Sequence, residues 1–252
     1  MNNAELKSSA SKIKLTSFDD LFGGTNEESV IEVSVDMLHE FKNHPFKVED
    51  NAEMEQLVDS IKLNGVVTPI VVRASDDGYE IISGHRRKYA CIKAGIKEVP
   101  VIVKNLNDDE AVLMMIDSNL QRENVLPSEK AFAYKMRMEA LNHKGTKGTD
   151  STEKITNETG EKRRQIFRYI RLTYLIKDFL DAVDSNKLSF IAGVNISYLK
   201  DDEQKSIFKI CSETMKYPSV GQSEKLKEVS SDKTLDCDEI RKIMSVAEKK
   251  IS

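Results

Sequence analysis

The chain has 252 residues, of which 39% are hydrophobic and 32% charged, and its formal net charge is −4. That length allows two compact domains, and the composition suits a soluble, globular, helix-rich protein. No apolar run approaches the roughly 18 residues needed to span a bilayer. The polar start MNNAELKSSASKIKLTSFDD lacks the apolar core of a signal peptide, so a cytoplasmic protein with no membrane partner is expected.

Residues 1–30 read as a flexible tail, with Lys7, Lys12 and Lys14 ahead of Phe18, Leu21 and Phe22. Order is expected from Ile31, where IEVSVDML runs as a strand into a turn. Over 52–64, Met54, Leu57, Val58 and Ile61 fall on one helical stripe, which Asn64-Gly65 ends. Two β-rich runs follow, VVTPIVVR (66–73) and YEIIS (79–83), joined by the hairpin turn Ser75-Asp76-Asp77-Gly78. A helix over 85–94 closes at Gly95, VPVIVK (99–104) is a further strand, and helices are expected over 108–122 and 128–143. The run HKGTKGTDST (143–152) is the best internal boundary. Asp150 is placed there to cap the next helix, with Glu153 completing a capping box. Everything beyond about residue 108 reads as helical.

The three cysteines, Cys91, Cys211 and Cys237, are odd in number and widely spaced, so neither a disulfide framework nor a zinc site is suggested. Cys91 sits in a helical pattern as a small core residue.

Ser83-Gly84-His85-Arg86-Arg87-Lys88-Tyr89-Ala90 follows a strand and opens a helix. A helix start presents unpaired N–H groups and the positive end of the macrodipole, which attract phosphate. Gly84 lets the backbone approach a ligand, and Arg86 and Arg87 offer fork-shaped donors. On spacing alone, the two arginines serve equally well as solvating residues on a helix face.

From Glu161 to Lys177 six basic residues stand against one acidic residue, a basic stripe within an acidic chain. The segment 151–175 has the layout of a helix-turn-helix. Ile155 points inward on the first helix, Thr159-Gly160 makes the turn, and the second helix buries Ile166, Ile170 and Leu172. The N-terminal residues of such a second helix face base edges. Arg163, Arg164 and Gln165 stand there, suited to guanine and adenine, while Lys162, Arg168 and Arg171 suit phosphates. A solvated basic helix is the plainer alternative.

Gly84-His85-Arg86-Arg87-Lys88-Tyr89-Ala90 resembles the GxRRxxA box of ParB-type (ParB/RepB/Spo0J-like) partition proteins. Gly65–Arg73 resembles their base-lining segment, and Ser118-Asn119-Leu120-Gln121-Arg122-Glu123 resembles their ENLQRE box, all in the family's order. With the helix-turn-helix the resemblance covers roughly residues 31–200 and looks closest to the proteins of plasmids and conjugative elements of Gram-positive bacteria.

The resemblance implies an α+β, ParB/sulfiredoxin-like nucleotide-binding domain followed by an all-α helix-turn-helix domain. Its parts would be the tail (1–30), a CTP-binding domain (31–125), a helical DNA-binding domain (126–215) and a short helical C-terminal tail (216–252). It also implies CTP with magnesium, held by Thr68, Pro69, Gly84, His85, Arg86, Arg87, Asn119 and Arg122, with Asn119 near the metal.

Three positions depart from the family. His85 stands where a glutamate is usual, and Phe46, in FKNHPFKV, stands where an arginine is usual. Ser118 replaces the glutamate tied to magnesium and hydrolysis. A serine hydroxyl is a poor magnesium ligand and no general base at neutral pH, so slow or absent hydrolysis is expected. Asp117 would point about 100° away on a helix. His44 is read as a turn-forming residue.

The family function implied is a homodimeric, nucleoid-associated DNA clamp at a parS-like, centromere-like duplex, switched by CTP and working with a ParA-type ATPase through the tail. No counterpart of a separate C-terminal dimerisation domain is found. A CTP-independent transcription regulator is the alternative, and a ParB-like nuclease ranks last.

Overall fold

The computed structural model describes residues 29–122, 124–145 and 149–245. The expected N-terminal tail, Glu123 of the third box and part of the 143–152 boundary lie outside the described residues.

Five strands form one mixed sheet in the order β1-β5-β3-β4-β2. Strand β1 (Val30–Ser34) leads through a 3-10 turn, Val35–Met37, into the two-residue β2 (Leu38–His39). Strands β3 (Ile70–Ser75) and β4 (Gly78–Ser83) form the expected hairpin, pairing Ser75 with Gly78 around Asp76 and Asp77. Strand β5 (Glu98–Val103) lies antiparallel to β1 and parallel to β3.

The strand expected over 66–73 begins only at Ile70. Pro69 has no N–H for a ladder, and the carbonyls of Thr68 and Pro69 turn instead to Arg87.

The period-two alternation of β3 and β4 gives the sheet two buried faces. Ile70, Val72 and Ile81 face Met54, Val58 and Ile61 of helix α1 (Ala52–Asn64) and Ala90 and Cys91 of helix α2 (His85–Ala94). Val71 and Ile82 pack on the other side with Phe41, Phe46, Ala111, Met115 and Ile116. The last three belong to helix α3 (Asp108–Leu120), which opens on an Asn107–Glu110 capping box and stops two residues before the expected end.

Helix α4 (Pro127–His143) belongs to both halves of the molecule. Ala133 joins the core under the sheet, while Tyr134 and Leu141 join Ile155 and Ile166 of the helices that follow. Those are α5 (Thr149–Thr159) and α6 (Arg163–Leu172), separated by a short turn in which Gly160 takes φ +71°. The backbone of Asp150 lies within α5, and the cap expected of its side chain lies outside what is described. Ile170 is half-buried, unlike Ile166 and Leu172, which are fully buried.

Helices α7 (Lys177–Asp184), α8 (Phe190–Ile196), α9 (Asp201–Thr214), α10 (Val220–Asp232) and α11 (Cys237–Ser245) complete the fold. The segment expected as a short helical C-terminal tail is helical over 220–232 and 237–245 and packs on the helices before it. Leu226, Leu235, Ile240 and Ile243 share one core with Leu172, Phe179 and Ile207, because each short helix carries one apolar stripe that must be covered. Among the described residues no helix is long and apolar enough to cross a membrane. The architecture is thus the expected α+β domain followed by a helical region.

Candidate nucleotide cleft and DNA-reading face

Helix α2 starts at a turn that only glycine fits. Gly84 holds φ +121°, and a Cβ there would lie 3.1 Å from two carbons of Ile70 and 3.2 Å from Arg87 Nη2. The turn places the start of α2 along a cavity of about 180 Å³, where the unpaired N–H groups of a helix start favour an anion. Six of the eight expected nucleotide residues line it: Gly84, His85, Arg86, Arg87, Asn119 and Arg122. Thr68 and Pro69 do not; their carbonyls accept from Arg87 Nη1 at 2.6 and 2.5 Å. Arg87 therefore pins the loop before β3, and burial lowers its pKa, whereas Arg86 reaches Glu53 over 3.3 Å.

A second cavity of about 440 Å³ shares Lys47, Arg86 and Arg122 with the first and lies in the size range of ligand pockets. Lys47 was missed by sequence reasoning, which weighed its neighbour Phe46. Phe46 is in fact core, 3% exposed, while Lys47 carries the segment's positive charge into both cavities. Its backbone N–H donates to Glu129 at 2.7 Å and its Nζ stands 3.5 Å from Asp184. Asn51, Glu53, Asn124 and Glu129, which line the larger cavity, had no motif to mark them.

His85 does not act as a cation. It is buried, its ring centroid lies 3.8 Å from that of His44, and its Nε2 faces the N–H of Phe41 at 3.5 Å. Burial, then His44 and Lys88, push its pKa down to about 3. Burial also lowers His44, whose Nδ1 donates to the Phe46 carbonyl at 2.8 Å. The two imidazoles make a neutral wall.

The Ser118 hydroxyl donates to the Met115 carbonyl at 2.9 Å and is spent on its own helix. Asn119 Nδ2 donates to Met115 at 2.8 Å, which leaves the side-chain carbonyl as its free function. Asp117 pairs with Arg137 and lines a different cavity. No group of three His, Cys, Asp or Glu suited to a metal occurs among the described residues. Were a magnesium ion to arrive with a phosphate ligand, the phosphates would have to supply most of its oxygens, and the Asn119 side-chain carbonyl is the oxygen this helix would offer.

On the DNA side, Lys162 is the N-cap of α6, and Arg163 and Arg164 are exposed in its first turn. Gln165 and Arg168 are half-buried, and Phe167, 45% exposed, lies 5.7 Å under Arg163. Arg171, expected at a phosphate, is partly engaged within the fold. Its Nε donates to Ser197 Oγ at 3.2 Å, its Nη2 donates to the Ser197 carbonyl, and its guanidinium lies between Tyr174 and Tyr198 at 4.4 and 4.1 Å.

Residues 23–120 match the family model described as the ParB N-terminal domain. The chromosome-partitioning protein Spo0J of Thermus thermophilus is 33% identical over 69% of this chain and 61% of its own length. A nucleoid occlusion protein of Geobacillus is 32% identical over 71% of this chain and 62% of its own. The chain thus spans less than two thirds of these relatives, and neither is named for a plasmid or conjugative element. Two solved structures are of C-terminally truncated ParB from Caulobacter crescentus. The one complexed to the centromeric parS site is 26% identical and covers 79% of this chain and 98% of that one, with TM-score 0.46. The one complexed with CTP-γ-S is 28% identical and covers 69% and 94%, with TM-score 0.35. The chain thus carries a ParB N-terminal domain over residues 23–120, and over about seven tenths of its length it is similar to partition and nucleoid occlusion proteins.

Proposed function

We propose that the protein is a DNA-binding partition protein that recognises a parS-like, centromere-like duplex through α6 and is switched by CTP with magnesium in the cleft. The observation that carries this reading is the convergence of Lys47, Arg86, Arg122 and the start of α2 on one cavity. Bound CTP supplies a triphosphate polyanion and carries the metal. Lys47, Arg86 and Arg122 offer charge to it, the first N–H groups of α2 offer hydrogen bonds, and Asn119 offers a carbonyl oxygen. Arg87 holds Thr68 and Pro69 in place beside the cleft, so its role is positioning.

The cleft has a physical link to the helical half. The Lys47 segment bonds Glu129, near the start of α4, and Asp184, at the end of α7; Asp184 in turn accepts from Ser128 N–H at 2.9 Å and from Ser128 Oγ at 2.5 Å. Drawing Lys47 onto a ligand loosens its hold on Asp184, and α4 packs directly on α6. This supports a homodimeric clamp whose closure follows the nucleotide, acting at the nucleoid in the segregation of a chromosome, plasmid or integrated element with a ParA-type ATPase. Hydrolysis is slow or absent, since Ser118 offers neither base nor metal ligand.

Calorimetric titration with CTP, ATP, GTP and UTP plus magnesium tests the reading. CTP-selective binding, weakened at least tenfold by Arg86→Ala, is expected; no binding of any nucleotide would overturn it. In that case the second reading, a CTP-independent helix-turn-helix regulator, stands. Buried Phe46 and the spent Ser118 hydroxyl favour it.

A further inference from the structure

At the C-terminal end of α6 the surface turns from basic to basic and aromatic. Tyr174 and Tyr198 are 54% and 51% exposed and hold the Arg171 guanidinium between them. Lys227 of α10 places its Nζ 3.8 Å from the Tyr198 ring, and Lys135 of α4 stands 5.8 Å from the Tyr174 ring. Four separate parts of the chain thus bring cations and phenols to one place.

The lysines of this surface are not neutralised by carboxylates of the described residues. Lys47, Lys88, Lys93, Lys130 and Lys144 each have a carboxylate within ion-pair range. Lys135 and Lys227 have none among the described residues, although Glu224 and Glu228 stand on the same helix as Lys227. Two lysines resting on rings keep a charge for an external anion, because a ring face attracts the ammonium without neutralising it.

We propose that Lys135, Tyr174, Tyr198 and Lys227 bind the DNA sugar-phosphate backbone beside the segment read by α6. The inference rests on the DNA-binding reading above. Lysine ammoniums and tyrosine hydroxyls are suited to phosphate oxygens, and they fix register without reading sequence. The surface adjoins the face of α6 that carries Arg163, Arg164 and Arg168, so one duplex can lie across both. Arg171, tied to Ser197 by Nε and Nη2 and lying between the two rings, is the positioning residue that spaces the two tyrosines.

The test uses the full chain and two labelled duplexes, one selected from a random library and one a scramble of it. Binding is measured across a salt series. Lys135→Gln and Lys227→Gln should each weaken both duplexes by roughly threefold to tenfold and reduce the salt slope by about one. Tyr198→Phe, which keeps the ring on Arg171 and removes the hydroxyl, should weaken both duplexes equally and leave the slope unchanged. Arg164→Ala should instead erode the preference for the selected duplex. If both lysine variants match the wild type while Arg164→Ala weakens binding, the backbone contact is wrong and the DNA-reading helix stands. If the wild type binds neither duplex, the DNA reading itself fails and takes the inference with it. Lysine variants that keep the DNA salt slope but lose binding to phosphatidylglycerol vesicles would reassign the surface to a membrane and overturn the proposal.

Discussion

Around the cleft most cations are already held by the protein: Arg87 on two carbonyls, Arg86 on Glu53, Lys88 on Glu40, Lys47 on Asp184. Along α6, Arg163, Arg164 and Arg168 have no carboxylate partner among the described residues. Groups that must exchange partners to take a ligand make binding a rearrangement, so occupancy can be felt elsewhere in the fold. Groups that wait unpaired in solvent attract a polyanion without rearranging, and their contribution falls with salt. Under the proposed reading, a switch would sit in the first region and the affinity for DNA in the second.

The largest expected effect probes the pre-paired side. Arg87→Ala removes two charge-assisted hydrogen bonds and frees the Thr68 and Pro69 carbonyls, so a loss of about 3 kcal/mol in chemical denaturation is expected. Arg86→Ala should leave stability nearly unchanged, since its partner Glu53 is exposed. Equal losses in the two variants would erase the distinction between a positioning and a ligand-facing arginine.

Next comes pH. His85 has a folded pKa of about 3, below the ordinary 6.5, so between those values the unfolded chain binds the extra proton and stability rises with pH. From pH 7 to pH 5 His85 should therefore remove about 2 kcal/mol of stability. Denaturation at the two pH values checks this, with His85→Gln flattening the difference. An unchanged slope in that variant would show that the imidazole wall is charged or solvated.

Much of the cleft was legible in the sequence because its parts are local. A strand, a glycine and a helix start lie within Ser83–Ala90, and one turn brings them to the same point. What stayed hidden depends on distant partners. Nothing near Arg87 signals that it bonds the carbonyls of Thr68 and Pro69, and nothing near Arg171 signals Ser197, Tyr198 and the closure of α8 against α6. Both arginines read as phosphate donors by type, and each is partly or wholly used inside the protein. Lys47 was missed for the opposite reason: its neighbour Phe46 carried the departure from the family pattern. The C-terminal helices are short, and the core that they share with α7 and α9 depends on partners far away in sequence.

Two smaller effects probe the unpaired side. Arg164→Ala should cost about 1.5 kcal/mol on the selected duplex and less on its scramble, measured by fluorescence anisotropy. Arg168→Gln should lower affinity for both duplexes alike, with the salt slope falling by about one. Sequence discrimination lost in the second variant rather than the first would exchange the roles of the two arginines.

The proposed switch requires that the cleft and the reading face be coupled through the Lys47 segment and α4. The direct test is the affinity of the full chain for CTP with and without saturating selected duplex, repeated in Lys47→Ala. Coupling requires that each ligand change the other's affinity by the same factor. A severalfold shift is expected in the wild type, shrinking towards none in Lys47→Ala, while both ligands still bind. Identical CTP affinity with and without DNA in the wild type would contradict it.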